Sequence, residues 1–147
     1  MTDNRRDVLE EKPYVGAFGR LLIAALFLIS GVGKIAAYEK TIAYIASVAL
    51  PFAPLGWVVA IVLEVGGGLC LLLGFRVRPV AFSLAVFTLA TAVLFHRNFA
   101  DQNQMIHFLK NMVIVGGFLQ IAHFGAGAHS LDARRLRNQG SAAEQLS

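Results

Sequence analysis

Residues 55–75 read LGWVVAIVLEVGGGLCLLLGF, and Glu64 is the only charged side chain in this stretch. A helix rises about 1.5 Å per residue, so a run of this length crosses the roughly 30 Å hydrocarbon core of a bilayer. Lipid leaves only helices and closed barrels as spanning structures, because it offers no partners to backbone groups. The run lacks the alternation of a barrel strand. It therefore predicts a transmembrane helix.

Three further apolar runs of similar length occupy residues 16–37, 79–95 and 106–124. The run at residues 79–95 contains no charged residue at all. Together with residues 55–75, these runs predict an all-α protein, an integral membrane four-helix bundle.

The segment between the first two runs, residues 38–54, has a different pattern. Its apolar residues fall on one helical face, which is composed of Ile42, Ile45, Val48, Ala49 and Phe52. We expect a short interfacial amphipathic helix here, ended by Pro51 and Pro54. A re-entrant segment packed under the bundle is the alternative.

The composition of the whole chain excludes several classes of protein. Of its 147 residues, 56% are hydrophobic and 15% are charged, whereas soluble domains have about 25% charged residues. The single cysteine, Cys70, excludes an intrachain disulfide, a CxxC pair and a cysteine-rich metal site. We expect no metal site. The net charge of +4 indicates contact with the membrane surface rather than with nucleic acid.

The charged loops predict the domain organisation and the orientation. We assign residues 1–15 to a cytoplasmic tail, residues 16–132 to the transmembrane domain and residues 133–147 to a basic, polar cytoplasmic tail. Four spans place the most basic segments on one side, and these segments contain Arg5, Arg6, Lys12, Arg76, Arg78, Arg134, Arg135 and Arg137. Positive charge is enriched in cytoplasmic loops. Both termini are therefore predicted to be cytoplasmic.

Glu64 lies near the predicted bilayer midplane, where an isolated charge costs roughly 2.5–3.5 kcal/mol on insertion scales. We therefore expect it to contact Lys34 or Lys110. The predicted intramembrane polar cluster also includes Asn111, His107 and His96, the last at the end of the third span. Two interpretations stay open: the carboxylate accepts a proton or contacts a ligand, or it only fixes helix packing.

Arg20 and Lys34 lie on one stripe of the first span. The spacing of Arg20, Ala24, Phe27, Gly31 and Lys34 alternates between four and three residues, which is typical of one helical face. Small residues on that face allow close helix packing, so we expect it to point into the bundle. The alternative for the two charges is that each extends to its own membrane interface.

Five sequence features, taken in order, resemble the DoxX family. They are Arg20 followed by LLIAALFLISGVGK, then Leu50-Pro51, then LEVGGGLCLLLGFRVRP from Leu63, then His96, and finally GAGAHSLD from Gly125. The resemblance covers residues 16–132 and implies a four-helix protein of the bacterial inner membrane. The matching family positions are Arg20, Gly31, Lys34, Glu64, Gly74, Arg78, Ser130, Leu131 and Asp132.

The resemblance also suggests a function. DoxX proteins take their name from subunits of a thiosulfate:quinone oxidoreductase, which implies an accessory subunit of a membrane oxidoreductase or quinone-linked complex. Its partners are then the lipid bilayer and other oxidoreductase subunits, with a quinone contact at the polar cluster. We expect no bound cofactor and no catalysis by the chain alone. Two alternatives are a structural or scaffolding membrane protein and a conductor of small solutes or protons.

Overall fold

The computed structural model describes residues 13–144, and within that range every regular element is helical. The helices are α1 (Pro13–Ala36), α2 (Tyr38–Ser47), α3 (Ala53–Ile61), α4 (Gly68–Leu73), α5 (Val77–Phe95), α6 (Gln102–Phe124) and α7 (Leu131–Glu144). A π-helical segment, Val62–Gly67, joins α3 to α4 without a break.

Four helices in the described range are long and apolar enough to cross a membrane: Tyr14–Ala36, Ala53–Leu73, Val77–Phe95 and Gln102–Phe124. The prediction of an all-α, four-helix membrane bundle is confirmed. Many apolar side chains point outward, such as Ile29, Leu55 and Val113. In a bilayer this surface faces lipid tails, so it needs no protein partner.

The two ends of the bundle differ in composition. One end is formed by the start of α1, the turn between α4 and α5, and residues 125–144; we call it the arginine-rich end because Arg76, Arg78 and Arg134 are exposed there. The opposite end carries α2 and the connection between α5 and α6. Residues 1–12, which include Arg5, Arg6 and Lys12 of the predicted tail, lie outside the described residues.

Helix α2 packs at the opposite end against the start of the second span. A Cβ atom added to Gly56 would lie 3.3 Å from Ile45, which is buried. The helix is shorter than the sequence predicted, since it ends at Ser47 and Phe52 is fully outside it and exposed. The expectation that Pro54 ends this helix is wrong. Pro54 lies in the first turn of α3, where its missing N–H leaves no hydrogen bond unmade.

The tightest packing lies in the half of the bundle near the arginine-rich end. Phe118, Leu71, Leu84 and Val77 are completely buried there. The rings of Phe27 and Phe118 meet edge to face with centroids 5.1 Å apart, which joins α1 to α6. The interior of this half of the bundle is therefore filled by apolar side chains.

The π-helical segment surrounds Glu64 in the middle of the second span. A π turn holds one more residue than an α turn, and such turns are frequent at functional sites. Gly31 of α1 faces it so closely that an added Cβ would lie 2.7 Å from Val65 Cγ2 and 3.2 Å from Glu64 Cβ. The absent side chain at position 31 therefore brings α1 directly against Glu64.

The chain after the fourth span is ordered into α7, which begins at Leu131. This helix crosses the boundary at residues 132 and 133 that the sequence analysis set between domain and tail.

Candidate functional site: a chamber between the spans

A chamber of about 540 Å³ lies in the half of the bundle toward the opposite end. Helices α1, α2, α3, α5 and α6 all contribute to its wall. Most of that wall is apolar and includes Leu26, Phe27, Phe87, Leu94, Phe95 and Ile114. A cavity of this size and character is typical of a site for a small organic molecule.

An ion pair between Lys34 and Glu64 forms part of the chamber wall. Lys34 Nζ lies 2.8 Å from each carboxylate oxygen of Glu64 and 2.7 Å from Ser30 Oγ. Only 5% of Glu64 is exposed. The indole of Trp57 donates to the backbone carbonyl of Lys34 at 3.1 Å. Of the two lysines that the sequence offered to Glu64, the structure selects Lys34, which lies within the bundle rather than extending to an interface.

The remaining members of the predicted polar cluster line the chamber from α5 and α6. Lys110, Asn111, His107 and His96 are all in its wall. In the described range the only ion pair is that of Lys34 and Glu64, so Lys110 does not contact the carboxylate. The predicted cluster therefore has two parts in the structure. Lys34 and Glu64 form an ion pair, and the other four residues line the chamber without joining that pair.

The two histidines stack face to face, with ring centroids 5.0 Å apart and an interplanar angle of 20°. His96 Nδ1 lies 2.8 Å from Gln104 Oε1, which orients the His96 ring. Among residues 13–144 there is no group of three or more His, Cys, Asp and Glu side chains that could hold a metal ion.

Thr88 of α5 is a chamber residue that the sequence analysis missed. It is 3% exposed, and its hydroxyl has no hydrogen-bond partner among the described residues. Thr88 lines the same chamber as Glu64 and Lys34. Buried hydroxyls are nearly always hydrogen-bonded, so this one lacks the partner that such a group normally has. The sequence does contain an indication of this residue, because Thr88 is a hydroxyl side chain within the uncharged apolar run of residues 79–95.

Arg20 lies apart from the chamber, at the arginine-rich end, and is 5% exposed. Its guanidinium donates to three backbone carbonyls, those of Leu71 at 3.4 Å, His129 at 2.8 Å, and Ala126. Arg20 is therefore buried, and its guanidinium reaches the connection that follows the fourth span. Its charge is satisfied inside the protein, where it fixes the connection after α6 to the end of α4.

Asp132 makes a second set of contacts at the same end. Its carboxylate accepts hydrogen bonds from the backbone N–H groups of Arg76 at 2.8 Å and Val77 at 2.9 Å. Its own N–H donates to the carbonyl of Gly74 at 3.0 Å. Gly74 has φ of 69°, and a Cβ there would lie 2.5 Å from Ser130 Cβ. Glycine is required at this position both for conformation and for space.

The family-matching positions thus form two groups. Gly31, Lys34 and Glu64 meet where α1 packs on the π-helical segment. Arg20, Gly74, Ser130 and Asp132 meet at the arginine-rich end, where Leu131 begins α7 and the Arg78 guanidinium lies against Gly125. One group borders the chamber and the other holds the C-terminal segment in place.

Comparison with known proteins shows which family and which relatives the chain resembles. The DoxX family model matches residues 16–97. The chain is 46% identical over 120 residues to the inner membrane protein YqjF of Escherichia coli (strain K12), covering 82% of this chain and 89% of YqjF. It is 36% identical over 128 residues to the inner membrane protein YphA of the same organism, covering 84% and 91%. No solved structure matches the chain.

Proposed function

Since the chain belongs to the DoxX family of multi-pass inner membrane proteins, we propose that it is an accessory subunit of a quinone-linked membrane oxidoreductase. In this proposal the chamber holds a quinone head group. The observation that carries the proposal is the unbonded hydroxyl of Thr88 in a chamber that is otherwise mostly apolar.

The chemistry of the chamber suits a quinone ring. A quinone is an apolar ring with two carbonyl oxygens, each of which accepts hydrogen bonds. Thr88 Oγ1 is a donor for one carbonyl, and Lys110 and Asn111 supply further donors from α6. The phenyl rings of Phe27 and Phe87 give the quinone ring an apolar contact surface.

The Lys34–Glu64 pair adds a hydrogen-bond acceptor beside this space. Reduction of a quinone takes up two electrons and two protons, and the hydroquinone hydroxyls that result can hydrogen-bond to a carboxylate in the wall. Each Glu64 oxygen contacts Lys34 and still has a further lone pair. A hydroquinone hydroxyl is able to donate to that lone pair, whereas a quinone carbonyl is not.

The accessory role follows from the chemistry of electron transfer. Redox reactions of quinones need an electron donor, which is normally a flavin, haem or iron–sulfur group. The sequence has one cysteine and no nucleotide-binding motif. In the proposal a partner subunit therefore supplies the electrons, while this chain binds the quinone.

The alternative of a proton or solute conductor has less support. A conductor needs a polar path through both halves of the membrane. The chamber occupies one half, and the other half is filled by Leu71, Leu84 and Phe118, which are completely buried. A scaffolding role predicts that the chamber binds nothing, which the following experiment distinguishes.

Trp57 provides the readout for quinone binding, because it is the only tryptophan in the chain and is bonded to Lys34. Quinones quench the fluorescence of tryptophan at short range, and the hydrogen bond of Trp57 to Lys34, a residue of the chamber wall, places its indole beside the chamber. We expect a short-tailed ubiquinone analogue to quench Trp57 saturably, and Thr88→Val to weaken its affinity several-fold. Ser83→Ala, on the exposed face of the same helix, is the matched control. Quenching that rises without saturation, or is equal in both variants, would contradict the proposal.

The accessory role needs its own measurement. Quinone reduction is compared between native membranes, the complex purified in mild detergent, and the isolated chain, each with and without Glu64→Gln. We expect turnover only where partner subunits are present, and a lower rate with Glu64→Gln. Turnover by the isolated chain would overturn the accessory role, and an unchanged rate in the mutant complex would remove Glu64 from the mechanism.

A further inference from the structure

Two arginines approach the same aromatic ring at the arginine-rich end. The guanidinium carbon of Arg135 lies 4.6 Å from the centroid of the Phe75 ring, and that of Arg76 lies 6.0 Å from it. Arg76 precedes α5, and Arg135 lies in the first part of α7. The tertiary fold therefore brings together two like charges that are far apart in the sequence.

The contacts of Asp132 fix this arrangement. Its carboxylate bonds to the backbone N–H groups of Arg76 and Val77, and its own N–H bonds to the Gly74 carbonyl. These bonds hold the start of α7 against the turn between α4 and α5. These contacts bring the start of α7, and with it Arg135, close to Phe75 despite the repulsion between the two guanidinium groups.

The positive charge at this cluster has no carboxylate paired with it in the described part of the chain. The only ion pair between residues 13 and 144 is that of Lys34 and Glu64, in the middle of the bundle. Both Asp132 oxygens are hydrogen-bonded to backbone amides. Arg76 and Arg135 are exposed, as are the neighbouring Arg78 and Arg134. Such a concentration of exposed guanidinium groups attracts an anion.

The depth of the cluster indicates which anion. Phe75 lies two residues after the second span, which ends at Leu73, and two residues before the third span, which begins at Val77. The cluster therefore lies at the level of the lipid head groups, with a half-buried aromatic ring at the boundary. Arginine binds phosphate oxygens in pairs through its planar donors. Basic residues next to a membrane span are attracted to anionic lipids.

We propose that Arg76, Phe75 and Arg135 form a binding site for the head group of an anionic phospholipid. The two guanidinium groups bind the phosphate, and the exposed edge of Phe75 contacts the glycerol region below it. This site is independent of the chamber and of the quinone proposal. Its role is to hold a lipid at the junction between the C-terminal segment and the turn between α4 and α5.

Native mass spectrometry of the full chain tests the proposal, with phosphatidylglycerol and phosphatidylcholine as the two probes. We expect wild type to bind phosphatidylglycerol more tightly than phosphatidylcholine. Each arginine near an anionic lipid contributes about a fivefold change in affinity, so Arg76→Gln with Arg135→Gln should remove most of the preference. Lys40→Gln with Arg97→Gln, two exposed residues at the opposite end, is the charge-matched control and should leave it unchanged.

Three results would overturn the proposal. The first is equal affinity of wild type for the two lipids, and the second is a preference that survives in the Arg76 and Arg135 variant. The third is complete competition by millimolar inorganic phosphate, which would identify a site for a free anion. Circular dichroism and elution volume check that each variant is folded, and Arg76→Lys with Arg135→Lys, which retains charge, should recover part of the preference.

The chain itself contains a competing anion. Residues 1–12 include Asp3, Asp7, Glu10 and Glu11 and precede α1 in the sequence. A chain that lacks residues 1–12 is therefore measured beside wild type. If phosphatidylglycerol is preferred only after their removal, the arginines are neutralised within the chain and the proposal is wrong.

Discussion

Lys34 and Glu64 form a symmetric ion pair, with Lys34 Nζ 2.8 Å from both carboxylate oxygens. The contact joins α1 to the π-helical segment of the second span. Gly31, one turn before Lys34, allows this approach because it has no side chain to collide with Val65. The pair therefore depends on a lysine, a glutamate and a glycine acting together, and it forms one wall of the chamber.

The ion pair predicts a specific pattern of mutant stability. Glu64→Leu leaves Lys34 without its counter-charge in a low-dielectric interior, and breaking a buried pair in this way costs about 3–5 kcal/mol. Lys34 is partly exposed, so we expect the lower end of that range. We expect the detergent melting temperature to fall in Glu64→Leu and to recover in part when Lys34→Met is added.

Lys110→Met is the control for this series, because Lys110 lines the chamber without contacting Glu64. Adding Lys110→Met to Glu64→Leu should restore nothing. Rescue by Lys110→Met instead of Lys34→Met would show that the other lysine is the partner in solution.

Removing the Thr88 hydroxyl should weaken quinone binding without lowering the stability of the ligand-free protein. Its buried hydroxyl has no partner in the described structure, and a buried unsatisfied group costs about 1–3 kcal/mol. Thr88→Val keeps the shape and removes the hydroxyl. We expect the melting temperature without ligand to stay constant or rise, while the stabilisation by added quinone falls. A clear loss of stability without ligand would mean that the hydroxyl has a structural partner.

Gly74 should tolerate no side chain. Its positive φ costs a residue with a Cβ atom about 1–2 kcal/mol, and the added Cβ also collides with Ser130. Gly74→Ala should therefore lower the melting temperature, and Ser130→Gly in the same chain should restore little of it, because the Ser130 Cα also lies 2.8 Å from the added Cβ. Gly116→Ala is the control, since a Cβ there meets no atom within 4 Å. Equal effects at positions 74 and 116 would contradict this assignment.

The orientation of the chain in the membrane is a separate prediction. The arginine-rich end should face the cytoplasm, because basic loops are retained there. A reporter that is active only in the periplasm should be active when fused at Asp101 and silent when fused after Asp132. The reverse pattern would invert the orientation. Activity at both positions would contradict the single span that separates them and therefore the count of four spans.

The number of spans and their approximate limits follow from the sequence alone. Span length is set by the thickness of the hydrocarbon core, and each apolar run is long enough to cross it without reference to any other run. The sequence also indicates that Glu64 needs a partner. Its position in the span gives its depth in the bilayer, and the energetic cost of an unpaired charge depends on that depth. Local chemistry is sufficient for these conclusions.

The tertiary structure decided which groups meet. Choosing Lys34 over Lys110 required the rotation of each helix about its axis, and the π-helical segment changes that rotation by one extra residue within a turn. Arg20 is bonded to carbonyls of Leu71, Ala126 and His129, which are distant in sequence and have no side-chain signal. Whether the hydroxyl of Thr88 has a hydrogen-bond partner likewise depends on the side chains that pack around it. Hydropathy fixes how far a helix is inserted, but the partners of its polar groups depend on packing between helices, which no single run of sequence contains.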